Sequence, residues 1–364
     1  MPMFGHSEHE MNSIERCLAV LNLEEPDVVP CMPEIDHYVG SPAIGIGHHK
    51  VATDAAAAVE ATKRTYEKFR FDAIWPYCDG TMYLEAMDPN WPHVSWEMRD
   101  DKFQLARYVF DTIEDLEKYL EKEKWKEIMN QVRLVTVFKP YLTGLVELQK
   151  KYKVPVINAT GNAINQACYL LGNVKVLKAM RKKPETVKHV FEMITEYYIQ
   201  TLTDCHPEAS IMVWWASATS SDLLGPKDWD DFIIPYDSVA CEKASRYWKV
   251  FWHICGGNKK YAIERLAEMP GITGIQTDRL WDLDEAKKIC RDRKAILYGT
   301  STQTLWTGTP KQVEDEVKSA IKHCGDGGQM AICTGCEISS YSTDENLRAL
   351  REATYKYGKY PLKF

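Results

Sequence analysis

His253 and Cys255 stand two apart in "FWHICGG", and Cys333 and Cys336 frame "CTGC" much later in the chain. Imidazole and thiolate are the usual protein ligands of zinc, and a catalytic zinc is held by three of them with one position left for substrate. Two residues spaced by two on a strand point to one face. His253, Cys255 and one cysteine of "CTGC" would therefore make such a set if the fold brings them together. Two other readings fit the same residues. Buried cysteines commonly serve as inert core thiols beside a buried histidine. A CxxC pair can also be a redox couple, although that pair ordinarily opens a helix in a thioredoxin-like unit, and no such unit precedes Cys333. The spacing alone leaves these readings open.

Positioning such groups requires a regular scaffold, and the chain supplies one. Eight short apolar runs alternate with longer stretches of helical spacing: "DVVPCMP", "DAIWPYCD", "PVINATG", "SIMVWWA", "KVFWHICG", "GITGIQTD", "AILYGT" and "QMAICTG". Continuous apolar runs of this length suit strands of a parallel sheet, buried on both faces. The intervening segments read as helices. Val187, Val190, Phe191 and Ile194 form one stripe. Thr309-Pro310 with Gln312 is a capping box ahead of a helix ending at Gly325, and Ser342 with Glu345 repeats the device ahead of Gly358. Eight strand–helix units predict an α/β fold, a (β/α)8 TIM barrel, over a single domain spanning residues 1–364. A doubly wound sheet is the alternative, but no glycine-rich phosphate fingerprint follows the first strand. An N-terminal helical extension precedes the barrel. The stretch "DPNWPHVSWEMRDDKFQLARYVF" predicts a hairpin insertion after strand 2.

Barrel enzymes work at the carboxyl ends of their strands. Those ends carry Glu34 and Asp36, Asp79, Thr160 and Asn162, Ser217, His253 and Cys255, Gln276 and Asp278, Ser301, and Cys333 and Cys336. Asp79, Glu85, Glu34 and Asp278 are candidates for a catalytic acid or a fourth metal ligand; each could equally be a solvated or salt-bridged carboxylate. Trp75, Tyr77, Trp214 and Tyr298, with Trp215 and Trp306 nearby, could wall a pocket for a flat aromatic ligand or could pack the barrel. Trp252 alternates to the face opposite His253 and reads as packing.

Composition narrows the partners. Of 364 residues, 45% are hydrophobic and 27% charged, as in a globular protein, and a formal net charge of -7 without a basic run speaks against nucleic acid or an anionic membrane as partner. No basic-then-apolar leader and no spanning segment is visible, so a cytoplasmic location is expected, with the eleven cysteines reduced.

The segment "CTGCEISSYSTDENLRAL" resembles the C-terminal signature of the uroporphyrinogen decarboxylase superfamily, in its zinc-dependent corrinoid methyltransferase branch. "HICGG" is similar to the family's His-x-Cys-Gly, "LYGTSTQTLWTGTPKQVEDEV" to its Gly-Thr-Pro stretch, "LLGPKDWDDFIIPY" to its Pro-Tyr helix, and "AVLNLEEPDVVPCMP" to its entry strand. Ser301, Thr302 and Gln303 depart from the Asn, Val and Pro often found there. The arginine-rich N-terminal segment that holds propionates in the decarboxylases is not visible. The resemblance implies a (β/α)8 barrel with Zn2+ on His253, Cys255 and Cys336, leaving Cys333 as a core thiol. It implies methyl transfer involving the corrinoid (cobalamin) of a separate corrinoid protein, and it allows a homodimer. The favoured methyl donor is an aryl methyl ether, demethylated to a phenol. A methylcobamide:thiol transferase of the coenzyme M type is the alternative, and a non-catalytic tetrapyrrole-binding barrel a third. "DCHPEA" resembles the start of a corrinoid-binding motif but lacks its glycine, so His206 is read as a decoy.

Overall fold

The computed structural model describes residues 11–93, 96–99, 102–256, 259–278 and 282–364. Six of the eight apolar runs form one parallel sheet: β3 (Ile157–Thr160), β4 (Ile211–Trp215), β5 (Lys249–Ile254), β6 (Gly274–Thr277), β7 (Ala295–Thr300) and β8 (Met330–Thr334), neighbours in that order. They are buried almost throughout, as expected of strands covered by helices on one face and a barrel core on the other.

The first two runs differ from expectation in length. Each contributes a bridge instead of a full strand, and together they close the ring. Cys31 pairs in parallel with Ile332 of β8, and Ile74 pairs in parallel with Val156 just before β3. The Asp72 N–H donates to the Cys31 carbonyl at 2.8 Å, joining the two segments. Pro30, Pro33 and Pro76 flank these bridges, and proline cannot donate to a ladder. The barrel therefore has eight members, two of them short.

A single carboxylate clasps this closure. Asp72 accepts the Cys31 N–H at 2.9 Å and the Ser13 hydroxyl at 2.7 Å. It also accepts Arg16 Nη1 and the Tyr355 hydroxyl, both at 2.8 Å. The N-terminal helix Ser13–Leu21 and the C-terminal helix Asp344–Tyr357 are thereby tied to the same point.

The predicted hairpin is present between the second and third barrel members. β1 (Trp96–Arg99) and β2 (Lys102–Leu105) pair antiparallel, and part of the predicted segment, residues 94–95 and 100–101, lies outside the described residues. Val187, Val190, Phe191 and Ile194 are fully buried on one helix stripe. The Thr309–Gln312 capping box forms as expected. The last helix starts one residue later than predicted: Thr343, not Ser342, accepts the Asn346 N–H at 3.3 Å.

Strand register fixes which residues look inward. Trp215, His253 and Gln276 are partners across β4, β5 and β6, and Trp214 is the partner of Trp252 one residue earlier. Trp252 stacks on Trp229 of the helix Pro226–Phe232 at 6.2 Å. The row holding Trp214 and Trp252 is thus the outer one, and the row holding His253 is the inner one.

Candidate metal centre at the barrel mouth

β5 delivers His253 and then, past its last residue, Cys255 at the mouth. The chain turns away at Gly256, whose φ of +59° lies in the left-handed region that glycine occupies without cost. β8 delivers Cys336 through an equally tight turn. A Cβ on Gly335 would lie 2.5 Å from an Asp278 carboxylate oxygen, and one on Gly299 of β7 would lie 2.6 Å from the Gly335 Cα. Glycine at both positions lets the "CTGC" turn settle against the ends of β6 and β7. Cys336 then reaches Cys255.

Three donors converge as a result. His253 Nε2 lies 3.0 Å from Cys255 Sγ, and Cys255 Sγ lies 3.4 Å from Cys336 Sγ. Tetrahedral zinc with ordinary bond lengths separates such donors by about 3.6–3.8 Å, so a spread of a few tenths of an ångström accommodates the ion. His253 is buried, whereas both thiols are partly exposed, leaving an open side. The donor set fits a catalytic zinc. Cys333 does not join it; its thiol donates to the Met32 carbonyl at 2.8 Å inside the core.

The electrostatics prepare the ligands. The hydrogen bond from the Cys336 thiol, more than the charge of His253, pulls Cys255 well below the usual thiol range against the opposing effect of burial. Burial opposes charge on His253, yet the Cys255 thiolate and Glu34 raise it. Cys336 is pushed up by its bond to Cys255 and by burial. Without metal these influences favour the thiolate at Cys255, the cation at His253 and the thiol at Cys336.

Glu34 supports the histidine from behind. Its Oε2 lies 3.6 Å from His253 Nδ1 and accepts Gln276 Nε2 at 3.1 Å. Gln276 is further fixed on the Thr334 carbonyl at 3.0 Å, and the Glu34 N–H on the Thr334 hydroxyl at 2.9 Å. Outer-shell carboxylates of this kind orient a ligating imidazole.

The other predicted carboxylates are otherwise engaged. Arg133 binds Asp79 at 2.9 Å and Glu85 at 2.5 Å, so both buried carboxylates already have a cation. Asp278 packs on Gly335 beside the cysteine turn.

The aromatic wall is not the expected one. Trp75 lies inside the barrel below the site, its ring 5.7 Å from Phe251 and its Nε1 on the Met32 carbonyl. Trp214 is on the outer row against Tyr198 at 6.2 Å. Tyr298 also points outward, its hydroxyl directed at Glu316 on the helix Pro310–Cys324. Tyr77 packs on the rings of His37 and His48. The cavity over the thiols is instead walled by Tyr83, Tyr169, Tyr198 and Trp215, with Ser217, Glu34 and Glu337 contributing polar surface. Asn165 and Gln166 brace this wall. Asn165 bonds the Trp215 carbonyl at 3.1 Å, and Gln166 links the Tyr198 hydroxyl to the Tyr83 carbonyl, both at 2.7 Å. The sequence does contain a signal for part of it. Asn162, Asn165, Gln166 and Tyr169 share one face of the helix Ala163–Leu171, a polar stripe on an apolar helix. His206 lies away from the mouth, just ahead of β4, where its carbonyl accepts Asn158 Nδ2 at 3.0 Å.

Comparison with known proteins gives the family and the fold. A family profile described as "Uroporphyrinogen decarboxylase (URO-D)" matches residues 12–357. A uroporphyrinogen decarboxylase of Pseudoalteromonas translucida (strain TAC 125) is 22% identical over 321 residues, covering 84% of this chain and 86% of that protein. The methylcobamide:CoM methyltransferase MtaA of Methanosarcina barkeri is 26% identical over 211 residues, covering 56% of this chain and 59% of MtaA. A solved methyltransferase from Methanosarcina mazei shares the fold, with a TM-score of 0.76 over 96% of this chain and 99% of that one, at 19% identity. Among the described residues no helix is long and apolar enough to cross a membrane.

Proposed function

The chain belongs to the uroporphyrinogen decarboxylase family, and from that premise we propose that it is a zinc-dependent methyltransferase. It takes a methyl group from an aryl methyl ether to the cob(I)alamin of a separate corrinoid protein, in the cytoplasm. The observation that carries this reading is the convergence of His253, Cys255 and Cys336 from two distant strands onto one point at the barrel mouth.

His253, Cys255 and Cys336 would hold the metal. When bound, it supplies a Lewis acid that draws charge from the ether oxygen and so eases departure of a phenolate. Glu34, steadied by Gln276, fixes the imidazole. The ring faces of Tyr83, Tyr169, Tyr198 and Trp215 orient a flat substrate and keep water from it. Tyr169, at the rim and 44% exposed, guards the entrance.

A second reading is supported by the similarity to MtaA: the same ligands could present a thiol to a methylated corrinoid. One assay separates the two. Enzyme and a cob(I)alamin carrier are mixed with a panel of methoxyarenes, and the cobalt spectrum is followed. Demethylation of a methoxyarene is the expected result. Failure with every methoxyarene, together with methyl transfer from methylcobalamin to 2-mercaptoethanesulfonate, would establish the thiol reading instead.

A further inference from the structure

Beside the thiols lies a second group of donors that the methyl-transfer reading does not use. Asp36, His37 and Glu337 offer a carboxylate, an imidazole and a carboxylate whose ligand atoms all lie within 4.8 Å of one another. His37 Nδ1 is 2.8 Å from Glu337 Oε2. Asp36 is fully buried, and neither of its carboxylate oxygens has a hydrogen-bond partner. The polar groups facing it include the Glu337 carboxyl, the Glu34 carboxyl and the His37 backbone N–H. A buried carboxylate in that state is costly, and native proteins meet such a group with a partner, a proton or an ion.

We propose that Asp36, His37 and Glu337 form a second divalent-cation site, distinct from the thiol centre and next to it. Two oxygens and one imidazole nitrogen make a harder donor set than His253, Cys255 and Cys336, so the site should take Mn2+ or a similar ion, which thiolates bind poorly. Glu337 follows Cys336 directly and contributes to the cavity wall. An ion there would place positive charge on that wall and relieve the crowding of Glu34, Asp36 and Glu337. The site's position explains why three carboxylates can be gathered around one buried mouth. Burial, with Glu337 and Glu34 added, holds Asp36 well above the usual carboxylate range in the absence of an ion.

The test is metal binding by the purified full-length protein under anaerobic conditions. Titration with Mn2+, followed by loss of the free-ion electron paramagnetic resonance signal, should show one equivalent per chain. Loading with Co2+ should show two equivalents, one of them with a thiolate-to-cobalt charge-transfer band. Asp36→Asn and His37→Gln should each weaken Mn2+ binding by at least about tenfold, the scale seen when even an outer-shell group is lost. The double variant Cys255→Ser/Cys336→Ser should abolish the charge-transfer band and leave Mn2+ binding unchanged. His37 is partly exposed, so its variant serves if the buried Asp36 variant fails to fold. Absence of Mn2+ binding to the wild type overturns the proposal, as does binding that both single variants leave unaltered. Absence of the charge-transfer band with Mn2+ binding intact would instead overturn the zinc reading and leave this site standing.

Discussion

Cys255 Sγ lies 3.4 Å from Cys336 Sγ, although the two thiols come from β5 and β8, with two strands between them in the sheet. With His253 they make a donor set of the kind that binds zinc far more tightly than any pair of them does. His253→Ala, Cys255→Ser and Cys336→Ser should each lower bound zinc from about one equivalent to a small fraction of one. Elemental analysis of the purified proteins measures this. A single variant that keeps full zinc would remove its residue from the ligand set.

The same proximity makes the metal-free site vulnerable. Of the eleven cysteines, nine are buried and only Cys255 and Cys336 are partly exposed, and Cys255 is held toward the thiolate form. The thiolate is the reactive species. Chelator-treated protein should lose Cys255 rapidly to an alkylating reagent and Cys336 more slowly, and mild oxidant should join this pair as a disulfide. Zinc should suppress both reactions. Peptide mass mapping would show the prediction wrong if other cysteines react first.

Glu34 and Gln276 reach the proposed metal site through His253. Glu34→Ala should therefore weaken zinc affinity by about 10–100-fold without abolishing it. Gln276→Ala should have a smaller effect in the same direction. Competition with a chromophoric chelator reads both values. An unchanged affinity in Glu34→Ala would mean that the 3.6 Å approach to His253 does not orient the ring.

Arg133 is a structural hub. It answers two buried carboxylates, Asp79 and Glu85. Arg133→Ala would leave both without their cation, at a cost of about 3–5 kcal/mol in stability. Burial pushes Glu85 up against the influence of Arg133, so mild acid, by protonating Glu85, should shrink the deficit. Urea unfolding at neutral and acidic pH gives both numbers.

Asp237 should make stability fall as pH rises. It is buried on the helix Ile234–Ala244, and burial raises it to about 7, opposed by the hydrogen bond from Asn162 Nδ2 at 2.9 Å. The unfolded carboxyl titrates near about 4. Below that value both states are protonated. Between about 4 and about 7 only the unfolded state releases its proton, so unfolding becomes easier. Above about 7 the penalty is complete, at most about 4 kcal/mol. Asp237→Asn should match the wild type at low pH and exceed it at pH 8. Equal slopes in the two proteins between pH 4 and 7 would disprove the assignment.

His253 and Cys255 are legible as a pair because their information is local, whereas Cys336, some eighty residues on, is singled out from Cys333 only by the family resemblance. Spacing by two fixes a shared face, and a run of apolar residues fixes the strand that carries it. The aromatic wall was not legible, because it depends on register. Trp214 and Trp215 are adjacent, and only pairing with Trp252 and His253 decides which faces the barrel. Asp79 and Glu85 were open candidates for a similar reason: their partner Arg133 lies some fifty residues on, beyond the hairpin insertion, and no local pattern announces it. The ring of eight was countable from the runs. That two of its members would be bridge-length could have been read from Pro30, Pro33 and Pro76, which deny the ladder its donors.

The short first members bear on how the chain is made. In vectorial synthesis residues 28–32 emerge early, yet their neighbour in the ring is β8, and the Glu34 N–H waits 300 residues for the Thr334 hydroxyl. Until β8 arrives, the nascent sheet has two open edges, at β7 and at residues 28–32. Cys336 arrives with the turn after β8. Closure of the ring and completion of the proposed metal pocket are thus one event, and a chain cut short before β8 would carry neither a sealed barrel nor the third of its donors.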